Sequence, residues 1–266
     1  MNTESKQPRV ILFANHLLGK SLIQYLKQEQ QENIVGLVVH PPHQSHSRDD
    51  IVEIADMNAS DILSPDTLED EWISNWIKER QPDVICSFWS SYIFTKEIID
   101  MIPLGIINLH NSLLPWARGS AANIFTILEN CPAGVSLHYI SEHIDKGNII
   151  DQTEVPCASW DSGKTYFHKQ LNAMTKLFKK NWPTLRENKI EGQSQKGKGS
   201  FHYHYEANAL REIKLDQSYS GRELINLLRA FSFTPYDGCY FVDENGDKIN
   251  LHLELNRGMQ TIKKSI

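Results

Sequence analysis

Three polar residues carry the strongest chemical signal in the chain: Asn108 and His110, two positions apart, and Asp145 further on. The segment 105–110 is apolar enough to be a strand. Side chains two apart in a strand point the same way, so Asn108 and His110 share one face while Ile107 and Leu109 share the other. Pro115 and the Arg118-Gly119 pair end the extended run. Each residue also has a purely structural reading. Histidine beside an apolar strand is commonly just a hydrogen-bonded group, asparagine at a strand end a turn residue, and aspartate before Lys-Gly a hairpin residue. Together, however, they supply a neutral donor, a proton carrier and an anionic orienter. The carboxyl end of a parallel-type strand is where open α/β sheets form ligand crevices.

The elements that must hold these residues are legible as an alternation of strands and helices. Residues 10–14 (Val-Ile-Leu-Phe-Ala) form a continuous apolar run, as a strand buried on both faces requires. Leu18, Leu22 and Leu26 recur every four residues on one helical face. Residues 34–39 and 84–88 read as further strands, with Ile73, Trp76 and Ile77 on a helix between them. Residues 135–140 and 148–155 make a strand pair around the Asp145 loop. Asp161 and Ser162 are cap candidates for a long helix whose stripe is Phe167, Leu171, Met174, Phe178, Trp182 and Leu185. The stripe reads as core and not as a ligand platform. The expected fold is α/β: a mostly parallel, Rossmann-like sheet with a small C-terminal α+β appendage.

We divide the chain into a catalytic domain at 1–187, a polar, glycine-rich linker at 188–200, and a small domain at 201–266. In the last, Ser220 and Glu223 fit a capping box opening a helix with Leu224, Leu227 and Leu228 inward. Residues 239–242 and 249–255 flank a turn, 243–247, that contains Gly246.

Composition narrows the functions. A hydrophobic content of 40%, a charged content of 23% and a net charge of −6 describe a soluble globular chain and argue against a broad nucleic-acid or anionic-membrane surface. Residues 1–8 lack the apolar core of a signal peptide, and no apolar run approaches a membrane span. Cys86, Cys131, Cys157 and Cys239 are scattered without paired spacing, as reduced thiols in a cytoplasmic protein would be. His40, His43 and His46 invite a metal, but Pro41 and Pro42 interrupt the run and no helix aligns the imidazoles; no metal is expected. The turn at 15–19 lacks the glycines of a dinucleotide fingerprint, so NAD binding is not expected.

The string Asn-x-His-x-Ser-Leu-Leu-Pro at 108–115, the Arg-Gly that follows, and Gly-Val-Ser-Leu-His-Tyr-Ile…Ile-Asp-Lys-Gly-Asn-Ile-Ile at 134–150 resemble the folate-dependent formyltransferase family. The resemblance spans about residues 8–185 and rests on separated motifs in order. It implies that Asn108, His110 and Asp145 form the catalytic triad and that N10-formyltetrahydrofolate is the formyl donor. The donor's pterin would meet Tyr92, Ile93 and Phe94 at the end of one strand and Ser141, Glu142, His143, Ile144 and Asp145 in the aspartate loop. Tyr92 and Phe94 serve equally well as helix-start packing residues. Two positions depart from common family usage: Asn111, where Gly or Pro is frequent, and Lys146, where Thr or Ala is frequent.

In this scheme Asn108 stabilises a tetrahedral oxyanion, His110 moves a proton, and Asp145 orients the imidazole. Among acceptors, the family resemblance favours a nucleotide-linked amino sugar for surface polysaccharide biosynthesis, with a homodimer compatible with it. Methionyl-tRNA formyltransferase and formyltetrahydrofolate hydrolase are the alternatives, together with a silent binding domain that the intact triad disfavours. A hydrolase of this family usually carries a regulatory domain first, whereas this pattern begins within about ten residues of the start. Between 201 and 256 five basic residues face nine acidic ones, a net of −4, which is poor for holding tRNA. Arg257, Lys263 and Lys264 add a sparse basic tail. Acceptor contacts are expected from the loop at 116–119 and the appendage, with Arg118 either pairing with a phosphate or capping the loop.

Overall fold

The apolar run at 10–14 becomes a strand near the middle of a seven-stranded sheet in the computed structural model, which describes residues 7–45, 47–64, 70–188 and 190–257. The parallel part comprises β1 (Arg9–Ala14), β2 (Asn33–Val39), β3 (Ile62–Leu63), β4 (Val84–Phe88) and β5 (Ile106–His110). A two-residue strand, β6 (Arg118–Gly119), leaves the sheet; β7 (Gly134–Tyr139) and β8 (Ile149–Glu154) return to it antiparallel, giving the order β3-β2-β1-β4-β5-β7-β8. The sheet is therefore mostly parallel, as the strand–helix alternation implies.

Helices cover both faces. Val10, Leu12, Cys86, Ile107 and Leu109 pack with Leu18 and Leu22 of α1 (His16–Gln24) and with Met174, Phe178 and Trp182 of a long later helix. Ile11, Phe13, Ile85 and Ile106 pack on the other side against α3 (Asp70–Arg80) and α4 (Lys96–Met101). A shorter helix, α2 (Arg48–Ala55), lies against α1, and α5 (Ala122–Glu129) follows β6. The β1 run is apolar without alternation because both of its faces are covered. Leu26 is fully buried too, but it sits in a wider π-type turn, Tyr25–Glu29, that extends α1.

The long helix is α6 (Gly163–Leu185). Ser162 caps it, its hydroxyl accepting the Thr165 N–H while the Thr165 side chain accepts the Ser162 N–H. Asp161 does not cap the helix; it is buried and accepts the Ala158 N–H and Lys169 Nζ, each at 2.7 Å. Met174, Phe178, Trp182 and Leu185 are buried, whereas Phe167 and Leu171 are half-buried nearer the start of the helix.

Beyond α6 lie β9 (Phe201–His202), which pairs with β6, then α7 (His204–Ala209), α8 (Gly221–Phe231) and the hairpin β10 (Cys239–Val242) with β11 (Lys248–Leu251). The Ser220–Glu223 capping box is formed. The last strand is shorter than the 249–255 run suggests. Past Leu251 the Leu253 N–H turns to the Ser232 hydroxyl at 2.7 Å, leaving the ladder for the end of α8. No helix among the described residues is long and apolar enough to cross a membrane. Lys263, Lys264 and His46 lie outside the described residues.

Candidate active site

Parallel pairing of β4 with β5 sets Ser87 beside Asn108, and antiparallel pairing of β5 with β7 sets Asn108 beside His138 and His110 beside Ser136. Asn108 and His110 thus share the sheet face predicted from their spacing, and β7 adds its own polar face to theirs. The loop after β5 is fixed from below. Ser136 Oγ accepts the Leu114 N–H and donates to the Ser112 carbonyl, while Gln152 Nε2 donates to the Leu114 carbonyl. Gln170 of α6 donates to the Asn111 carbonyl.

His110 is buried, and its Nε2 lies 2.9 Å from the Ala117 carbonyl. A carbonyl only accepts, so Nε2 carries the hydrogen in the neutral ring, and Nδ1 is the nitrogen with a lone pair. That Nδ1 faces Asp145 Oδ2 at 3.5 Å. Asp145 adopts the left-handed backbone conformation, φ 52°, which aspartate tolerates better than most residues. Its Oδ2 accepts the Gly119 N–H at 2.8 Å, which orients the carboxylate independently of the histidine. Gly147 is required behind it, because a Cβ there would run into the Tyr139 carbonyl.

His138 completes the cluster. Its Nδ1 donates to the Tyr139 carbonyl at 2.8 Å, so Nε2 is an acceptor and takes one N–H of the Asn108 amide at 3.2 Å. Full burial pushes the His138 imidazole below its ordinary value, and the nearby Asp145 charge opposes this only in part. The 3.6 Å approach of His138 Nε2 to Asp145 Oδ1 is accordingly not an ion pair: the ring is neutral and that nitrogen is already an acceptor.

A crevice of about 110 Å³ opens beside these groups, lined by Ser87, Ser90, Tyr92, Ile93, Phe94, Asn108, His138, Ile140 and residues 141–145. Every residue expected to hold the donor therefore faces one cavity, with Asn108 and Asp145 in its wall. His110 is not part of this lining, and its Nδ1 reaches the Asp145 carboxylate. Tyr92 and Phe94 pack as well as line: their rings lie 5.3 and 4.8 Å from Phe13, and both are buried. Ile93 is exposed. The Ser141 hydroxyl donates to the His143 carbonyl, making the upper wall a self-bonded loop. Arg118 is tied within the protein, its Nε and Nη2 both donating to Gln195 Oε1, at 3.0 and 2.7 Å.

Two participants escaped the sequence reading. His138 was visible as a polar residue alternating with Val135, Leu137 and Tyr139, but only strand register reveals that it opposes Asn108. Gln195 lies in a stretch whose composition suggests a linker. No group of three or more His, Cys, Asp or Glu among the described residues is placed to hold a metal. His40 is buried, its Nε2 accepting the Ser91 N–H at 3.3 Å, and burial lowers its imidazole.

The formyl transferase family profile matches residues 8–180, and the profile described as the N-formyltransferase dimerization C-terminal domain matches residues 206–257. A dTDP-4-amino-4,6-dideoxyglucose formyltransferase of Mycobacterium tuberculosis is 25% identical over 173 residues, which are 65% of this chain and 73% of that protein. A 4-N formyltransferase from Francisella tularensis superposes with a TM-score of 0.79 at 25% identity, covering 94% of this chain and 98% of the other. The formyltransferase PseJ from Anoxybacillus kamchatkensis, in complex with UDP-4,6-dideoxy-4-formamido-L-AltNAc and tetrahydrofolate, gives a TM-score of 0.56 at 26% identity over 76% of this chain and 88% of its own.

Proposed function

Because the chain belongs to the formyl transferase family, we propose that it moves a formyl group from N10-formyltetrahydrofolate onto the amino group of a nucleotide-linked amino sugar. The observation that carries this reading is the joint match of a catalytic profile at 8–180 and the N-formyltransferase C-terminal profile at 206–257. The relatives' acceptors and the folate bound by PseJ support the choice of acceptor and donor. On this reading residues 1–187 form the catalytic unit and 201–266 the appendage, through which two copies associate.

Atoms and electrons balance over these residues. When the amine attacks the formyl carbon, the carbonyl oxygen gains the electron pair, and the second N–H of Asn108 stabilises that charge. His110 accepts the proton lost by the amine at Nδ1, and Asp145 holds the resulting imidazolium with its negative charge. His110 then returns the proton to the folate nitrogen as the carbon–nitrogen bond breaks and the carbonyl re-forms. Tyr92, Ile93 and Phe94 supply an apolar wall and the loop at 141–145 a polar one, which suits a flat, polar-edged pterin.

A tRNA acceptor is disfavoured by charge. Phosphate contacts need clustered Lys and Arg, whereas residues 201–256 net −4. Titration calorimetry with dTDP and UDP, set beside filter binding of charged initiator tRNA at low salt, tests the acceptor class. Saturable binding of one nucleotide is expected. Salt-sensitive, sub-micromolar tRNA binding would overturn the reading.

A further inference from the structure

The segment between α6 and β9 does more than join two parts. Gln193 exchanges two backbone hydrogen bonds with Ile149, both 2.8 Å. Gln195 stands half-buried among exposed neighbours and uses both ends of its amide. Its Oε1 accepts Arg118 Nε and Nη2, and its Nε2 donates to the carbonyls of Asp145 at 2.7 Å and Gly147 at 2.9 Å. Ser200 then takes the Ala117 N–H on its hydroxyl at 2.9 Å and the Arg118 N–H on its carbonyl at 3.1 Å, and gives its own N–H to the Pro115 carbonyl. Gly199, at φ 60°, lies so close that a Cβ would strike that same carbonyl.

These contacts converge on two loops that supply the fixed partners of the catalytic groups. The loop at 115–119 gives His110 its Ala117 carbonyl and Asp145 its Gly119 N–H. The other loop is the one that carries Asp145 itself. We infer that residues 193–200 form a strap that sets the His110–Asp145 geometry, with Gln195 as its positioning residue bridging Arg118 to the aspartate loop. Gln195 suits this role because one planar amide accepts a guanidinium fork and donates to two carbonyls at once. Glutamate in its place keeps the acceptor for Arg118 but turns an oxygen toward the Asp145 and Gly147 carbonyls, where a donor is needed. The inference rests on the assignment of His110 and Asp145 to the reaction.

The test uses the full chain with Gln195→Ala, Gln195→Glu, Ser200→Ala and Asp145→Asn, measuring thermal midpoint, kcat and KM for both substrates. Loss of positioning by a fraction of an ångström predicts kcat lower by about tenfold to a hundredfold in both Gln195 variants. KM is expected to change little, with the thermal midpoint near wild type. Ser200→Ala, which loosens the other end of the strap, is expected to lose kcat in the same sense. In single-turnover measurements Gln195→Ala adds no further loss to Asp145→Asn, because the two act through one carboxylate. Folded Gln195 variants with wild-type kcat beside a crippled Asp145→Asn would overturn the strap alone, as would losses that simply multiply in the double variant. A fully active Asp145→Asn would instead overturn the catalytic assignment on which the strap rests. If Gln195→Ala does not fold, Gln195→Glu and Ser200→Ala decide by the same criteria.

Discussion

Asn108 Nδ2 and His138 Nε2 meet at 3.2 Å across an antiparallel strand pair, and the histidine is locked as an acceptor by its own bond to the Tyr139 carbonyl. A buried neutral imidazole thus fixes which way the Asn108 amide points. The donor side of the amide is thereby held at the crevice, whose wall Asn108 shares with His138 and Asp145.

His138→Ala is expected to lower kcat, because the amide loses the partner that orients it. His138→Gln, whose carbonyl oxygen can accept the same N–H, should recover part of that loss. Equal kcat for the alanine and glutamine variants would show that the pairing does not orient Asn108.

Asn108→Ala and His110→Ala should each remove most formyl transfer while leaving the protein folded. One lost oxyanion donor typically costs about a hundred- to thousandfold, and one lost proton-transfer group about 10²–10⁴-fold. Steady-state turnover beside circular dichroism decides this, and near wild-type rates in either folded variant contradict the assignment.

Stability should fall as the solution is acidified. Burial lowers His138 and His40 from the ordinary value of 6.5, so the unfolded chain takes up protons near that pH that the folded chain refuses. The contribution is intact above pH 6.5 and is lost as pH falls through the lowered folded-state values. Thermal midpoints from about pH 8 down to about pH 5 measure it, and His138→Gln should flatten the decline. A midpoint that rises on acidification, or a slope untouched by His138→Gln, contradicts this.

Trp182→Ala should destabilise the fold by about 3–5 kcal/mol, the usual cost of emptying a large aromatic core site. Trp182 is fully buried, stacks on Phe178 and donates to Glu32 at 2.9 Å. Urea unfolding measures the loss. A change below about 1 kcal/mol would mean the helix–sheet interface repacks freely.

The sequence exposed whatever is governed by local period. The two-residue spacing of Asn108 and His110, the buried run at 10–14 and the stripe on α6 each follow from the geometry of one element. His138 was harder, since its role depends on which residue of another strand it faces, a matter of register that no single segment contains. Gln195 was hidden for a different reason. Polar, glycine-rich composition looks the same whether the chain is free or pinned by side-chain amides to distant carbonyls. The end of β11 likewise depended on the Ser232 hydroxyl, a contact from outside the hairpin.

The most direct test of formyl transfer to an amino sugar follows tetrahydrofolate release from N10-formyltetrahydrofolate with and without dTDP-4-amino-4,6-dideoxyglucose or a 3-amino counterpart, with the sugar product read by mass spectrometry. The account predicts that folate is released only when an amino sugar is present, and that the sugar gains one formyl group for each folate released. Comparable release of formate with no acceptor, or folate turnover that leaves every amino sugar unmodified, would contradict it.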